Sequence, residues 1–224
     1  MTGPPDRLAL VGDVHANVAA LDAVLGAVRT AGISRGVCTG DVVLRGREPE
    51  ACVSRLAMLG WPCVRGNTDW KVASRPPRAT SHPASSRVGS RSWTAHRLSD
   101  ASLRFLAQLP LTVRVRVGPY DVLVMHASPD DPTEALFDVG TDHARLVELA
   151  AALGVDGVVA GHTHRPVARA AGGCVFVNPG SAGEAEGADL RPSWAWLEAG
   201  SSGLVAHLER VDAPAAVPRP PAAA

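Results

Sequence analysis

The chain has 224 residues, 46% of them hydrophobic and 20% charged, which fits one large globular domain of ordinary soluble composition with a substantial core. Its 22 basic residues balance 22 acidic ones, so no global charge draws it toward nucleic acid or an anionic membrane. The start, Met1-Thr2-Gly3-Pro4-Pro5-Asp6, lacks a charged region ahead of an apolar stretch, and no run approaches about 18 apolar residues. Neither a signal peptide nor a membrane span is expected, and a cytoplasmic location is.

In chain order, Arg7–Gly12 is a short apolar run. Asn17–Ala31 follows with Val18, Leu21, Val24, Leu25 and Val28 at helical spacing. Gly36–Thr39 reads as a strand, Glu48–Leu59 as a helix and Pro62–Arg65 as a third short strand. Strands alternating with helices predict an α/β layout, mostly parallel in this half. Lys71–Arg97 holds six Lys and Arg, no acidic residue and many Ser and Pro, which predicts a long basic surface loop or flap. Ser99–Leu109 reads as a helix capped by Ser99 and stopped by Pro110.

Leu111–Val117 and Tyr120–Met125 flank Gly118-Pro119 and predict two strands joined by a tight turn. Thr141–Leu153 reads as a helix and Val155–Ala160 as a buried strand. Four further strands are expected at Pro166–Ala170, Cys174–Val177, Ser193–Glu198 and Leu204–Val211. Residues 1–211 thus form one domain, and 212–224 a Pro/Ala-rich tail with no visible means of packing. With aromatics at 4%, Val, Leu and Ala must build the core. Cys38, Cys52, Cys63 and Cys174 have no CxxC spacing, so neither a disulfide framework nor a zinc-thiolate site is expected.

Five motifs stand just after strand-like runs: Gly12-Asp13-Val14-His15, Gly40-Asp41, Gly66-Asn67-Thr68-Asp69, Met125-His126 and Gly161-His162-Thr163-His164. The carboxyl ends of strands are where open α/β sheets carry their sites. Two Asp, one Asn and four His form a mixed O/N set suited to a pair of divalent transition metals, the arrangement that clamps phosphoryl-transfer chemistry. Gly-Asp alone is nearly meaningless; all five motifs in order are not.

These motifs resemble the signature of the calcineurin-like metallophosphoesterase superfamily, and the wider sequence resembles its small bacterial and archaeal phosphodiesterase branch. The likeness to the branch includes Asn17 and the first helix, Gly46-x-x-Pro49, Leu109-Pro110, the run from His126 to Pro132, and Asn178-Pro179-Gly180-Ser181. It implies an α/β fold of two mixed sheets flanked by helices, a four-layer sandwich. It also implies one metal on Asp13, His15 and His164, another on Asn67, His126 and His162, and Asp41 bridging both. Asp41, Asn67 and His126 are then the catalytic residues. The metals would supply a hydroxide that attacks phosphorus. Manganese is the expected metal, with iron, zinc and nickel as alternatives, since cellular supply decides among them.

Departures from the pattern carry information. Thr68 stands where many superfamily members place a His that protonates the leaving group, a contribution of roughly 10²–10⁴-fold. Its absence turns the expectation from monoesters and protein phosphatases toward phosphodiesters, with monoesters as a secondary activity. Asp69 either orients an imidazole as an outer carboxylate or caps a turn. Leu44-Arg45-Gly46-Arg47 replaces a Gly-aromatic-Gly-Pro run, so Arg45 and Arg47 are candidate substrate-binding residues, or plain exposed arginines. Ala16 and Ala127 replace glycines but remain small.

Asn178–Ser181 is expected to shape the floor of the site, and Trp194 and Trp196 to share one strand face. His82, His143 and His207 read as structural or solvent-facing, and His96 as a weak candidate to reach the site from the flap. The expected partner is a small phosphorylated substrate, without membrane or strong nucleic-acid association; a homo-oligomer stays open. Two rival functions remain: a nucleotide pyrophosphatase or dinucleoside polyphosphate hydrolase, and a non-catalytic protein-interaction scaffold.

Overall fold

The computed structural model describes residues 6–74 and 87–213. The middle of the basic segment, with His82, and the tail from residue 214 onward lie outside the described residues.

Strand β1 (Arg7–Val11) leads to helix α1 (Val18–Thr30), where the Asn17 side chain accepts from the Ala20 N–H at 3.1 Å and Leu21, Val24, Leu25 and Val28 form the buried stripe. Strand β2 (Gly36–Cys38) and helix α2 (Pro49–Leu59) follow. Pro49 opens α2 where no N–H is needed, and Gly60 closes it in the left-handed region at φ 63°. Helices α3 (Asn67–Ala73), α4 (Arg91–His96) and α5 (Asp100–Gln108) come next; the Ser99 hydroxyl caps α5 by accepting from Ser102. Then run β3 (Thr112–Val117), β4 (Tyr120–Met125), α6 (His143–Leu153), β5 (Gly157–Ala160), β6 (Val167–Ala171), β7 (Cys174–Asn178), β8 (Ser193–Gly200) and β9 (Gly203–Arg210).

Two sequence expectations need correction. Pro62–Arg65 is not a strand. It is an extended segment with a single parallel bridge from Cys63 to Cys38, held by Cys38 N–H to Pro62 O and Val64 N–H to Cys38 O. Nor is Lys71–Arg97 loop throughout, because α3 enters it and α4 lies within it. The Ser90 hydroxyl accepts from Trp93 N–H to start α4, and Trp93, Thr94 and Ala95 are buried. Composition averaged over the segment hid this short apolar turn.

The strands form two mixed sheets, ordered β2-β1-β8-β9 and β3-β4-β5-β7-β6. Neighbours β1/β2, β4/β5 and β5/β7 are parallel; the remaining pairs are antiparallel. Alternating side chains sort the core into three layers. Leu8, Leu10, Ala195 and Leu197 of the first sheet meet Val122, Val124, Val159 and Val177 of the second. On the outer face of the first sheet, Ala9, Val11 and Trp194 pack against α1, α2 and α5 through residues such as Leu21, Leu56 and Leu106. Beyond the second sheet, Met125, Val158 and Phe176 pack against Leu146 and Leu149 of α6. The molecule is therefore the four-layer α/β sandwich that the sequence implied.

Trp194 and Trp196 do share the outer face, and His207 stacks on Trp196 at 3.7 Å between ring centroids. All four cysteines are buried free thiols. No helix among the described residues is long and apolar enough to cross a membrane.

Candidate metal centre

The loops after β1, β2, β4 and β5 meet at one end of the two face-to-face sheets. Asp13 N–H donates to Gly40 O, His15 N–H to Asp41 O, and Gly161 N–H to His126 O, each at 2.8–3.0 Å. The turns are tight enough to force side-chain-bearing residues into the left-handed region. Asp13 (φ 51°), His15 (48°), Asp41 (54°), His162 (72°) and His164 (60°) all lie there, with Ala16, Leu44 and Arg45 beside them. Among the described residues these eight are the only non-glycine residues with positive φ. Each costs on the order of 1 kcal/mol or more, and such strain collects at functional sites.

The expected ligand side chains converge. His164 Nε2 lies 3.1 Å from both Asp13 Oδ1 and His15 Nε2, and His15 Nε2 lies 3.7 Å from Asp41 Oδ2. On the other side, His126 Nε2 lies 3.4 Å from Asp41 Oδ1, 3.2 Å from Asn67 Oδ1 and 3.3 Å from His162 Nδ1. Asp41 thus stands between two clusters. One of them, Asp13, His15 and His164, brings three ligand atoms within 4.8 Å of one another, and so do Asp13, Asp41 and His126. Asp13 therefore reaches toward both clusters, which the sequence did not anticipate. Asp13, His15, Asp41, His126 and His164 are buried, whereas Asn67 and His162 are partly exposed. The Asn67/His162 side is the open one.

This donor set fits cations. His126 Nδ1 is 2.8 Å from Thr39 O, so that nitrogen carries a proton and Nε2 is the one turned inward toward Asp41. One terminal atom of the Asn67 amide lies 3.1–3.2 Å from His126 Nε2 and both Asp41 oxygens, and the other lies beside Lys71 Nζ. Without a cation the amide gains by turning its NH₂ toward Asp41 and its oxygen toward Lys71 Nζ, 3.1 Å away. With a cation between them, the oxygen-inward arrangement is the stable one. Asp13 Oδ1, His15 Nδ1 and His164 Nδ1 are buried without a hydrogen bond of good geometry, another sign of a centre shaped for positive charge.

Electrostatics agree with that. Burial works against ionisation of Asp13 and Asp41, yet the imidazoles, His164 for Asp13 and His126 for Asp41, hold both carboxyls below the usual range. Burial depresses His15 to about 3, with His164 and Arg45 pushing the same way, so its imidazole is neutral at pH 7 and free to bind a cation. His162 is lowered by burial and by His126.

The model of the calcineurin-like phosphoesterase superfamily domain matches residues 7–201. The chain belongs to this superfamily. Among solved structures, a metallophosphoesterase from Sphaerobacter thermophilus superposes with a TM-score of 0.76 at 26% identity, covering 94% of this chain and 90% of that one. A hypothetical protein from Pyrococcus horikoshii gives 0.80 at 16% identity over 93% and 88%, a likeness of fold. An uncharacterized protein of Methanocaldococcus jannaschii is 29% identical over 178 residues, 77% of this chain and 68% of its own. The family match makes this chain a phosphoesterase-type hydrolase, and its fold is shared with the two solved structures.

Around the phosphoesterase centre, the remaining candidates separate. Asp69 touches no imidazole: its oxygens accept N–H from Asp41 (2.9 Å), Val42 (2.9 Å), Val43 (3.2 Å) and Gly66 (3.0 Å). It caps the Asp41 loop. Burial and the Asp41 charge push Asp69 up to about 7, while these donors pull it down. Thr68 is buried; its N–H donates to Asp41 Oδ1 and its hydroxyl to Val43 O, both at 2.9 Å. It orients the carboxylate and presents no acid to a substrate. Asn178 donates to Gly161 O at 2.7 Å and Ser181 Oγ to Asp13 O at 2.7 Å, so this turn underlies both ligand loops.

Arg45 and Arg47 line a cavity of about 380 Å³ that opens beside His15, with Asn17, Val88, Gly183 and Glu184 among its other walls. Arg45 N–H donates to Gly89 O, so the described end of the basic segment docks at this cavity. His96 is exposed and its Nδ1 pairs with Ser92 O, away from the centre; His143 is exposed at the start of α6.

Sequence reasoning missed Glu184. It is buried, ion-paired with Arg45, and places Oε2 3.6 Å from His15 Nε2 and 3.7 Å from His164 Nδ1. Its signal was present in Ser181-Ala182-Gly183-Glu184, the Ser-x-x-Glu spacing of a capping box, and Ser181 Oγ does accept the Glu184 N–H at 2.7 Å.

Proposed function

We propose that this phosphoesterase hydrolyses phosphodiesters through a dinuclear centre, with Asp13, His15 and His164 holding one metal, Asn67, His126 and His162 the other, and Asp41 shared. The observation that supports this is the convergence of buried ligand atoms around Asp13 and Asp41: Asp13, His15 and His164 bring theirs within 4.8 Å of one another, and so do Asp13, Asp41 and His126. Bound divalent cations supply Lewis acidity there and lower the pKa of water from 15.7 toward about 7. The chain's own groups orient the reaction. Thr68 N–H and the Asp69-capped loop fix the Asp41 carboxylate, and Thr39 O fixes the His126 tautomer. No side chain at position 68 donates a proton to the leaving oxygen, which favours diesters and other esters with good leaving groups. Arg47, exposed on the cavity wall, would meet phosphate oxygens in this reading.

Mn-loaded protein should turn over an activated phosphodiester, and Asp41→Asn should cut kcat by at least 10²-fold while lowering metal content. Wild-type protein that binds less than half a metal per chain and gains none with added Mn would sink the proposal, and would revive the scaffold reading. A second reading, hydrolysis of dinucleotides or nucleoside polyphosphates, is favoured by the size and arginine lining of the cavity. A panel of cyclic nucleotides, simple diesters and dinucleotides separates the two: a preference for dinucleotides that Arg47→Ala removes would select the second.

A further inference from the structure

Glu184 stands outside the two groups of converging ligand atoms, yet its Oε2 lies 3.6 Å from His15 Nε2 and 3.7 Å from His164 Nδ1. His164 turns Nε2 toward Asp13 and His15, which leaves Nδ1 pointing away, buried and without a hydrogen bond. An imidazole N–H abandoned in the interior is costly. A carboxylate oxygen of Glu184 waits 3.7 Å from it, a few tenths of an ångström beyond hydrogen-bond contact. Metal-bound imidazoles characteristically give their second N–H to a carboxylate, which fixes the tautomer and the ring and strengthens the ligand. Glu184 is itself held on two sides, through its N–H on Ser181 Oγ and through its ion pair with Arg45. The preceding Gly183 packs closely on the Asp13–His15 loop, since a Cβ there would sit 1.7 Å from Val14 O.

We infer that Glu184 is a positioning residue for the metal on Asp13, His15 and His164, and that Arg45 offsets the charge of that carboxylate instead of gripping substrate phosphate. The inference rests on the dinuclear reading above. It gives two arginines of one loop separate tasks: Arg45 serves the metal side, and Arg47 serves the substrate side.

Opposite charges predict opposite signs. Glu184→Gln removes a negative charge and the ionic acceptor behind His164, so it weakens one of the two Mn sites by about 10–100-fold and leaves the other unchanged. Arg45→Met removes a positive charge near the cations, so Mn binding there is equal or tighter. Calorimetric titration of the metal-free proteins with MnCl₂ reads both, with thermal unfolding of each metal-free protein as a check on folding. If Glu184→Gln is poorly folded, Glu184→Asp serves instead and shows a smaller loss at the same site. Two outcomes overturn the inference: wild-type Mn affinity at both sites in the Glu184 variants, or equal weakening by Glu184→Gln and Arg45→Met, the mark of a plain structural latch. A wild type that binds no Mn would instead overturn the dinuclear reading.

Discussion

Asp69 receives four backbone N–H groups from two loops, and the asymmetry of hydrogen bonding makes that arrangement costly to disturb. In Asp69→Asn, one side of the carboxylate becomes an NH₂ that confronts N–H donors. We expect a loss of about 2–4 kcal/mol in urea unfolding and weaker metal binding, since the Asp41 loop loses its brace. The sequence allowed Asp69 either role, outer carboxylate or turn cap, because both need the same residue type; only the donors around it decide. Glu184 escaped notice for a related reason. Its partners His15 and His164 are 169 and 20 positions away, and no local pattern ties a carboxylate to a distant imidazole.

At the scale of elements, the ligand loops close because glycines let backbone pass backbone. Gly183 packs against Val14 O so closely that Gly183→Ala must displace the loop carrying Asp13 and His15. It should lower the thermal midpoint by several degrees and weaken Mn binding, whereas Gly140→Ala, with open space at its Cβ, should change stability by less than about 0.5 kcal/mol. Periodicity read most elements well where a layer enforces it: β1, β4 and β5 are buried on both faces, and α1 has one stripe. It failed at Pro62–Arg65, where one bridge replaces a ladder, and at α4, whose three buried residues are too few for a moment to rise above a basic background.

For the whole molecule, the centre ties the two sheets together. Asp13 and Asp41 follow strands of one sheet, His126, His162 and His164 strands of the other, and His162 N–H already reaches Asp13 Oδ2 across the seam at 3.1 Å. Metals bound there stabilise the folded state by mass action, by about 2.7 kcal/mol per site at a hundredfold excess over Kd. Saturating Mn should therefore raise the unfolding midpoint and EDTA should lower it, with the shift growing with free Mn. No dependence on metal concentration would contradict a seam held by cations.

The left-handed turns have a further consequence. Asp, Asn and His are the side-chain-bearing residues that this backbone region tolerates best, and they are also the residues a transition metal prefers. At Asp13, His15, Asp41, His162 and His164 the turn thus selects the same alphabet that the proposed metals would select. A descendant that had lost its metals would still be penalised for putting Val or Leu there, and the motif would outlive the chemistry. What a descendant would lose first is what the turn does not demand: Asn67 on its helix, His126 on its strand end, and Glu184 behind His164.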